Sequence, residues 1–297
     1  WEQPRLDEGE PAWVRVVHAL EHYPTHFRAS LVTSLTEAVP EGIVRLPGPS
    51  ILPLVAALSL MTVFAAELYN LHVLAIVATV TVIAAILGWM WPPAIERERC
   101  LADDSGPTIH GLPIYLSGPR APAWWGMQFV LLVMAVGSAC VIFGYYYLQA
   151  RNAEWPPMAT PKPGALLPLV NLLVLGALSG AMFLVLRSIQ GGQYERMLQF
   201  VSASGPLAVL FLIVQMTEFT RWGFTPDANA FTSAFGLLAG LQTTFVVIGL
   251  ILSGVVTAHA WLGYFNQWRF LAIENVASYW YFATAHWLVL VVVLYLT

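Results

Sequence analysis

Three side chains inside the apolar stretches of this sequence could hold charge or exchange a proton: Glu67, Glu218 and His286. At membrane depth an ionisable group is expensive unless it is paired or hydrated, so each is a candidate for function before it is a candidate for packing. Each also has a plainer role open to it. Either carboxylate can turn toward the interface or pair locally, and a lone imidazole can hydrogen-bond a neighbouring helix.

Other chemistry is sparse. His18, His22 and His26 have the i, i+4, i+8 spacing of metal ligands on one helical face, but Pro24 interrupts that helix and a solvated polar surface is expected instead. A heme held by two histidines needs them at matched depth on facing helices. His259 falls near one surface, His72 near the other, and His286 about 18 Å deep by helical rise, so no such pair forms. Lys162, the sole lysine, sits in a loop and cannot make an intramembrane Schiff base. There is no phosphate-binding glycine loop followed by lysine and no nucleophile–base cluster. Cys100 and Cys140 are too isolated for a disulfide framework or a paired-cysteine metal knuckle. No catalytic, cofactor-binding or metal-ligating set is therefore expected within this chain.

The elements that must position the three candidates follow from composition. Of 297 residues, 58% are hydrophobic and only 10% charged, and the mean hydropathy is +0.68. Such a chain needs lipid as its solvent. Roughly 20 apolar residues cross a bilayer as a helix, and windows of that kind recur near 50–69, 71–91, 122–149, 166–188, 196–220, 228–261 and 275–296. Barrel strands would alternate polar and apolar residues, which these continuous runs do not. The expected class is an all-α integral membrane protein of about seven transmembrane helices.

Residues 1–49 form a polar segment expected at the cytoplasmic membrane surface, with Trp13, Val14, Val16, Val17 and Leu20 on the apolar side of a short interfacial helix ended by Pro24. Residues 50–91 make a two-helix transmembrane hairpin turned at Asn70, 92–121 a polar cytoplasmic loop, and 122–297 a five-helix domain. With the N-terminus cytoplasmic and the C-terminus external, ten of the thirteen basic residues fall inside and only Arg151, Lys162 and Arg221 outside. Gly176 with Gly180, and Gly236 with Gly240, have the four-residue spacing that lets two helix backbones approach in lipid.

Five motifs stand in order along the larger domain. Trp124-Trp125-Gly126-Met127 and Tyr145-Tyr146-Tyr147-Leu148 bracket its first helix, and Leu167-Pro168-Leu169-Val170-Asn171 opens the second. Gln215-Met216-Thr217-Glu218-Phe219 closes the third. Phe231-Thr232-Ser233-Ala234-Phe235 leads to Gly240-Leu241-Gln242-Thr243-Thr244-Phe245-Val246-Val247-Ile248-Gly249, and Trp280-Tyr281-Phe282-Ala283-Thr284-Ala285-His286-Trp287 lies in the last helix. Across residues 122–296 this series resembles cytochrome c oxidase subunit III, in the shortened five-helix form of fused bacterial subunit I/III chains. The family reads Gln-x-x-Glu-aromatic, Gly-Phe-His-Gly-Leu-His-Val-x-x-Gly and Trp-His-Phe-x-Asp-x-x-Trp at the last three. The Leu46-Pro47-Gly48-Pro49-Ser50 region ahead of the hairpin is similar to the tail of subunit I in such chains.

The resemblance implies a non-catalytic accessory subunit of a respiratory heme-copper terminal oxidase, which couples O₂ reduction to proton pumping in the bacterial cytoplasmic (inner) membrane. Its implied partners are oxidase subunit I and subunit II and membrane lipids, with no nucleic acid. Hemes and copper would belong to the catalytic partner or to an upstream region, and phospholipids to clefts between the helices. An accessory subunit of a nitric oxide reductase shares these features. A small-solute transporter would show an internal repeat and broken helices, which are missing here. Where the family keeps titratable groups this chain has Met134, Gln242, Phe245, Tyr281 and Thr284, and a methionine cannot relay a proton. Glu218 is the one matching carboxylate.

Overall fold

The structure, a computed structural model, describes residues 28–33, 40–46, 49–92, 108–109, 112–158 and 160–296. The interfacial helix expected over residues 13–20, the histidines His18, His22 and His26, Cys100 and the charged part of the second polar loop lie outside the described residues. The chain divides into two compact units, residues 1–116 and 117–297.

In the first unit, β1 (Arg28–Thr33) and β2 (Pro40–Leu46) form an antiparallel hairpin, with Ser30 opposite Val44 and a register irregularity between Val32 and Thr33. These strands are short, and the all-α class stands with two small hairpins beside the helices. Leu31 pairs with Ile43, and Val32, Thr33 and Val44 add further aliphatic and β-branched residues that favour extended structure, but the run is too short to stand out among polar neighbours. A second, two-residue pair joins β3 (Thr108–Ile109) to β4 (Leu112–Pro113).

Between these hairpins run α1 (Leu52–Leu68) and α2 (His72–Met90), packed antiparallel on each other. Their fully buried residues are all alanines, Ala66 on α1 and Ala75, Ala78 and Ala85 on α2, so α2 carries a seam of single methyl groups. The turn between them is tight. Asn70 adopts a left-handed φ of 57°, which its short polar side chain tolerates, and Leu71 N–H donates to Ala66 O at 2.8 Å.

The second unit is a bundle of α3 (Pro122–Arg151), α4 (Leu166–Gln190), α5 (Tyr194–Arg221), α6 (Ala230–Trp261) and α7 (Leu271–Val291), the last extended by a π turn at Val292–Leu296. Helix α7 touches α3, α4 and α6, while α5 closes the ring against α4 and α6. Among the described residues six helices are long and apolar enough to cross a membrane, and α1, at 17 residues, is a shorter apolar one. This is a multi-pass membrane protein.

Aromatic rings fill the bundle's centre: Trp280 and Trp287 on α7, Phe211 on α5 and Phe235 on α6 are fully buried. Helix α6 begins with a reciprocal cap in which Asn229 Oδ1 accepts from Thr232 N–H and Asn229 N–H donates to Thr232 Oγ1, both at 3.0 Å. Only one of the glycines expected at close contacts is at one. A β-carbon on Gly176, Gly180 or Gly240 would meet no atom within 4 Å, whereas one on Gly236 would lie 3.2 Å from Pro226. The tightest approach in the bundle falls instead on Gly249, where a β-carbon would lie 2.7 Å from the Trp280 ring and 3.0 Å from Tyr279.

Candidate functional site

Glu67 is not among the buried groups. It sits at the end of α1 with its side chain 56% exposed, and Glu67 Oε2 lies 3.3 Å from His72 Nδ1 at the start of α2. The ends of a two-helix hairpin bring these two together whatever else the protein does, so the pair is the local, solvated one.

Glu218 is different in kind. It lies in the last turns of α5, only 3% exposed, and both carboxylate oxygens are taken. Gln215 Nε2, one turn earlier on the same helix face, donates to Oε2 at 3.1 Å. Trp222 Nε1, one turn later, donates to Oε1 at 3.3 Å, and Tyr295 O–H from the π turn beyond α7 donates to the same oxygen. Gln215 Oε1 in turn accepts from Asn171 Nδ2 on α4 at 3.1 Å. Every member of this chain gives its proton toward the carboxylate, an arrangement suited to holding an acceptor away from water without a metal or a lysine. Aromatic rings close it off: Trp222 and Tyr295 both pack edge-on against Phe235, at 5.1 Å and 5.3 Å.

His286 is buried in the interface between α6 and α7. Its partner is Gln242, the residue that stands where the resemblance expects a histidine. Gln242 Nε2 donates to the Ala283 carbonyl at 3.2 Å. That carbonyl can only accept, so the amide's orientation follows, and Gln242 Oε1 must accept from His286 Nδ1, 2.6 Å away. The imidazole is thereby held as the Nδ1–H tautomer. Phe245, at the second expected histidine position, and Phe282 flank the ring with centroids at 5.1 Å and 6.0 Å.

Of the other departures from the family pattern, Thr284 also joins helices. Thr284 Oγ1 lies 2.7 Å from Ser179 Oγ on α4 and donates to its own helix at Trp280 O, 2.9 Å away. Tyr281 is half exposed and Met134 partly buried. Three more ties hold α7 in place. Trp280 Nε1 donates to Ser253 Oγ at 2.8 Å, Trp287 Nε1 to Pro168 O at 3.1 Å, and Tyr279 O–H to Phe245 O at 2.7 Å.

The structure thus brings Glu218 and His286 into two separate networks and leaves Glu67 outside both. Asn171, Gln215 and Tyr295 are members of the Glu218 network that sequence reasoning missed as site residues. The i, i+3, i+7 spacing of Gln215, Glu218 and Trp222 was a readable signal for one shared helix face. Nothing pointed to Tyr295. Among the described residues no three His, Cys, Asp or Glu side chains are grouped so as to hold a metal ion. Both networks join helices and place no nucleophile beside a base.

The family model described as Cytochrome c oxidase subunit III matches residues 45–297. The match takes in the α1–α2 hairpin, which the motif comparison likens to the tail of subunit I, as well as the five-helix bundle. Curated relatives agree. The subunit 3 of cytochrome c oxidase from Synechocystis sp. is 27% identical over 174 residues, 57% of this chain and 75% of its own length. That from Felis catus is 28% identical over 257 residues, covering 83% of this chain and 94% of the relative, and that from Pongo pygmaeus is 24% identical over 259 residues with the same coverage. With a family match running from β2 through all seven helices, the chain belongs to the cytochrome c oxidase subunit III family.

Proposed function

We propose that this protein is the accessory, non-catalytic subunit III of a respiratory heme-copper oxidase, flanking the subunit that carries the hemes and copper. The observation that carries the reading is the family match over residues 45–297. The polar ties of the interior support it: Glu218, Gln215, Gln242 and Thr284 are spent on joining helices, which suits a part that must keep its shape beside a working partner. In this reading subunit I and subunit II are the protein neighbours, and O₂ reduction and proton pumping proceed in the partner. In this reading the membrane is a bacterial inner membrane with the N-terminus on its cytoplasmic side, an orientation that the distribution of basic residues supports.

Lipid-facing surface supports a second part of the role. Helix α3 exposes Phe129, Val133 and Phe143, and α2 exposes Val73 and Ile76, so the apolar flanks offer seats for phospholipid chains and a route for a small apolar gas. Purification through a tag on this chain tests the assignment. The expected result is one native-gel band with heme absorbance, containing copper and a histidine-rich catalytic subunit. A stable band lacking heme overturns it, and a catalytic partner containing heme and non-heme iron without copper would reassign it to a nitric oxide reductase.

A further inference from the structure

Helix α5 contains a proline, Pro206, with Gly205 directly before it. Proline carries no N–H, so the Ser202 carbonyl four residues earlier loses its usual helical donor, and the ring presses on that turn. Membrane helices keep such a proline where hydroxyl groups and a neighbouring helix make good the backbone around it. Both are present. Ser204 Oγ, in α5 itself, donates to Val201 O at 2.7 Å, and Thr257 Oγ1 on α6 donates to the same carbonyl at 3.3 Å. One turn further along α6, Trp261 Nε1 donates to Ser202 Oγ at 3.0 Å.

The hydrogen bonds from α5 to other elements divide at this point. On the N-terminal side, Tyr194 O–H donates to Ala260 O. With the Thr257 and Trp261 bonds, it ties that half of α5 to a single turn of α6, residues 257–261. On the C-terminal side, Gln215 accepts from Asn171 on α4 and Glu218 accepts from Tyr295, so α4 and the turn beyond α7 hold that half. Each half has its own anchor. The joint between them is the one place in α5 where a ladder hydrogen bond is missing for a covalent reason. There is also space at the joint, since a β-carbon on Gly205 would meet no atom within 4 Å. A glycine beside a proline is where a helix bends most readily.

We propose that Gly205 and Pro206 form a hinge in α5, and that Tyr194, Thr257 and Trp261 form the lock that holds it in the conformation described here. With the lock made, α5 behaves as one rod. With it released, the N-terminal half turns about Gly205 as a unit while the Glu218 network stays made. Three hydrogen bonds to one turn of one helix are made or lost together, which is what a two-position element requires. A push on the last turn of α6 is thereby passed to the start of α5 and stopped at Pro206.

Distances between pairs of spin labels in the full chain, held in lipid nanodiscs with Cys100 and Cys140 replaced by serine, test this. Labels at Glu195 and Gly254, both exposed, report the N-terminal half against α6, and labels at Met216 and Leu288, also exposed, report the C-terminal half against α7. Glu195 lies eleven residues from Pro206, so a swing of about 20° moves it by about 5–6 Å. The unsubstituted lock should give one distance for each pair. Removing its donors with Tyr194→Phe, Thr257→Val and Trp261→Phe should add a second Glu195–Gly254 population, shifted by about 5 Å, and leave Met216–Leu288 unchanged. Adding Pro206→Ala should remove the second population. If the triple variant does not fold, Thr257→Val with Trp261→Phe is read by the same rule. A single Glu195–Gly254 distance in the released chain, a second population that survives Pro206→Ala, or an equal shift in the Met216–Leu288 pair would each overturn the proposal.

Discussion

The α1–α2 hairpin and the α3–α7 bundle both hold apolar helices together, by different means. The hairpin has a turn of three residues between its helices and a seam of buried alanines. The bundle joins segments far apart in sequence, and spends amides, indoles, hydroxyls and a carboxylate on doing so. Lipid tails are as apolar as leucine, so helices in a membrane gain little by hiding apolar surface from one another and must find close packing or hydrogen bonds instead. Adjacency in the chain lowers the cost of the first solution. Without adjacency, the bundle needs the second.

Substitutions that erase one solution or the other put this contrast to the test. The largest effect is expected at Glu218. Glu218→Ala leaves Gln215, Trp222 and Tyr295 without their acceptor and should cost about 3 kcal/mol in thermal unfolding of the detergent-solubilised protein. Glu218→Gln, which keeps one acceptor oxygen, should cost about 1 kcal/mol. A loss below about 0.5 kcal/mol for the alanine variant would show that the network is not a main tie of the bundle. Next comes Gly249→Ala, whose methyl group collides with Trp280, a ring already tied to Ser253. Overpacking of this kind costs about 1–3 kcal/mol, and the near-ultraviolet dichroism of the indole should change with it.

In the hairpin, Ala78→Leu should act through the methyl seam alone, at about 1–2 kcal/mol. Spin labels on the two helices should report a wider separation, and an unchanged distance would show that the seam is not the contact. The smallest effects are expected where the structure is open. Gly176→Ala meets nothing and should shift stability by less than about 1 kcal/mol, upward if at all. Glu67→Gln, at an exposed pair, should change it by less than about 0.5 kcal/mol, with that difference vanishing at high salt.

The seven helices were legible because lipid solvation writes itself into long uninterrupted runs. The observed ends fall within a few residues of those expected, the largest difference being the start of α7 at Leu271. The first β hairpin was not legible, since six or seven residues of mixed polarity carry little periodic signal. Candidate residues fared according to how local their environment is. The exposure of Glu67 follows from its place at a hairpin turn. The burial of Glu218 depends on Tyr295, 77 residues away, and no local pattern announces such a partner. His286 was recognised as a buried group, but its tautomer became readable only once Gln242 and the Ala283 carbonyl were seen together. The glycines failed for a related reason. Four-residue spacing marks where a helix could be approached, and only the neighbouring side chains decide whether it is. Gly249 stands alone in sequence yet sits under an indole.

The order in which the Glu218 donors are made has a consequence for biogenesis. Gln215 lies on the same helix as the carboxylate and Trp222 directly follows that helix, so both of these donors are made together with Glu218. Tyr295 arrives only after two further helices have been synthesised. Until then Glu218 has two of its three donors. The phenolic hydroxyl is a latch that closes once, when the last helix has found its place.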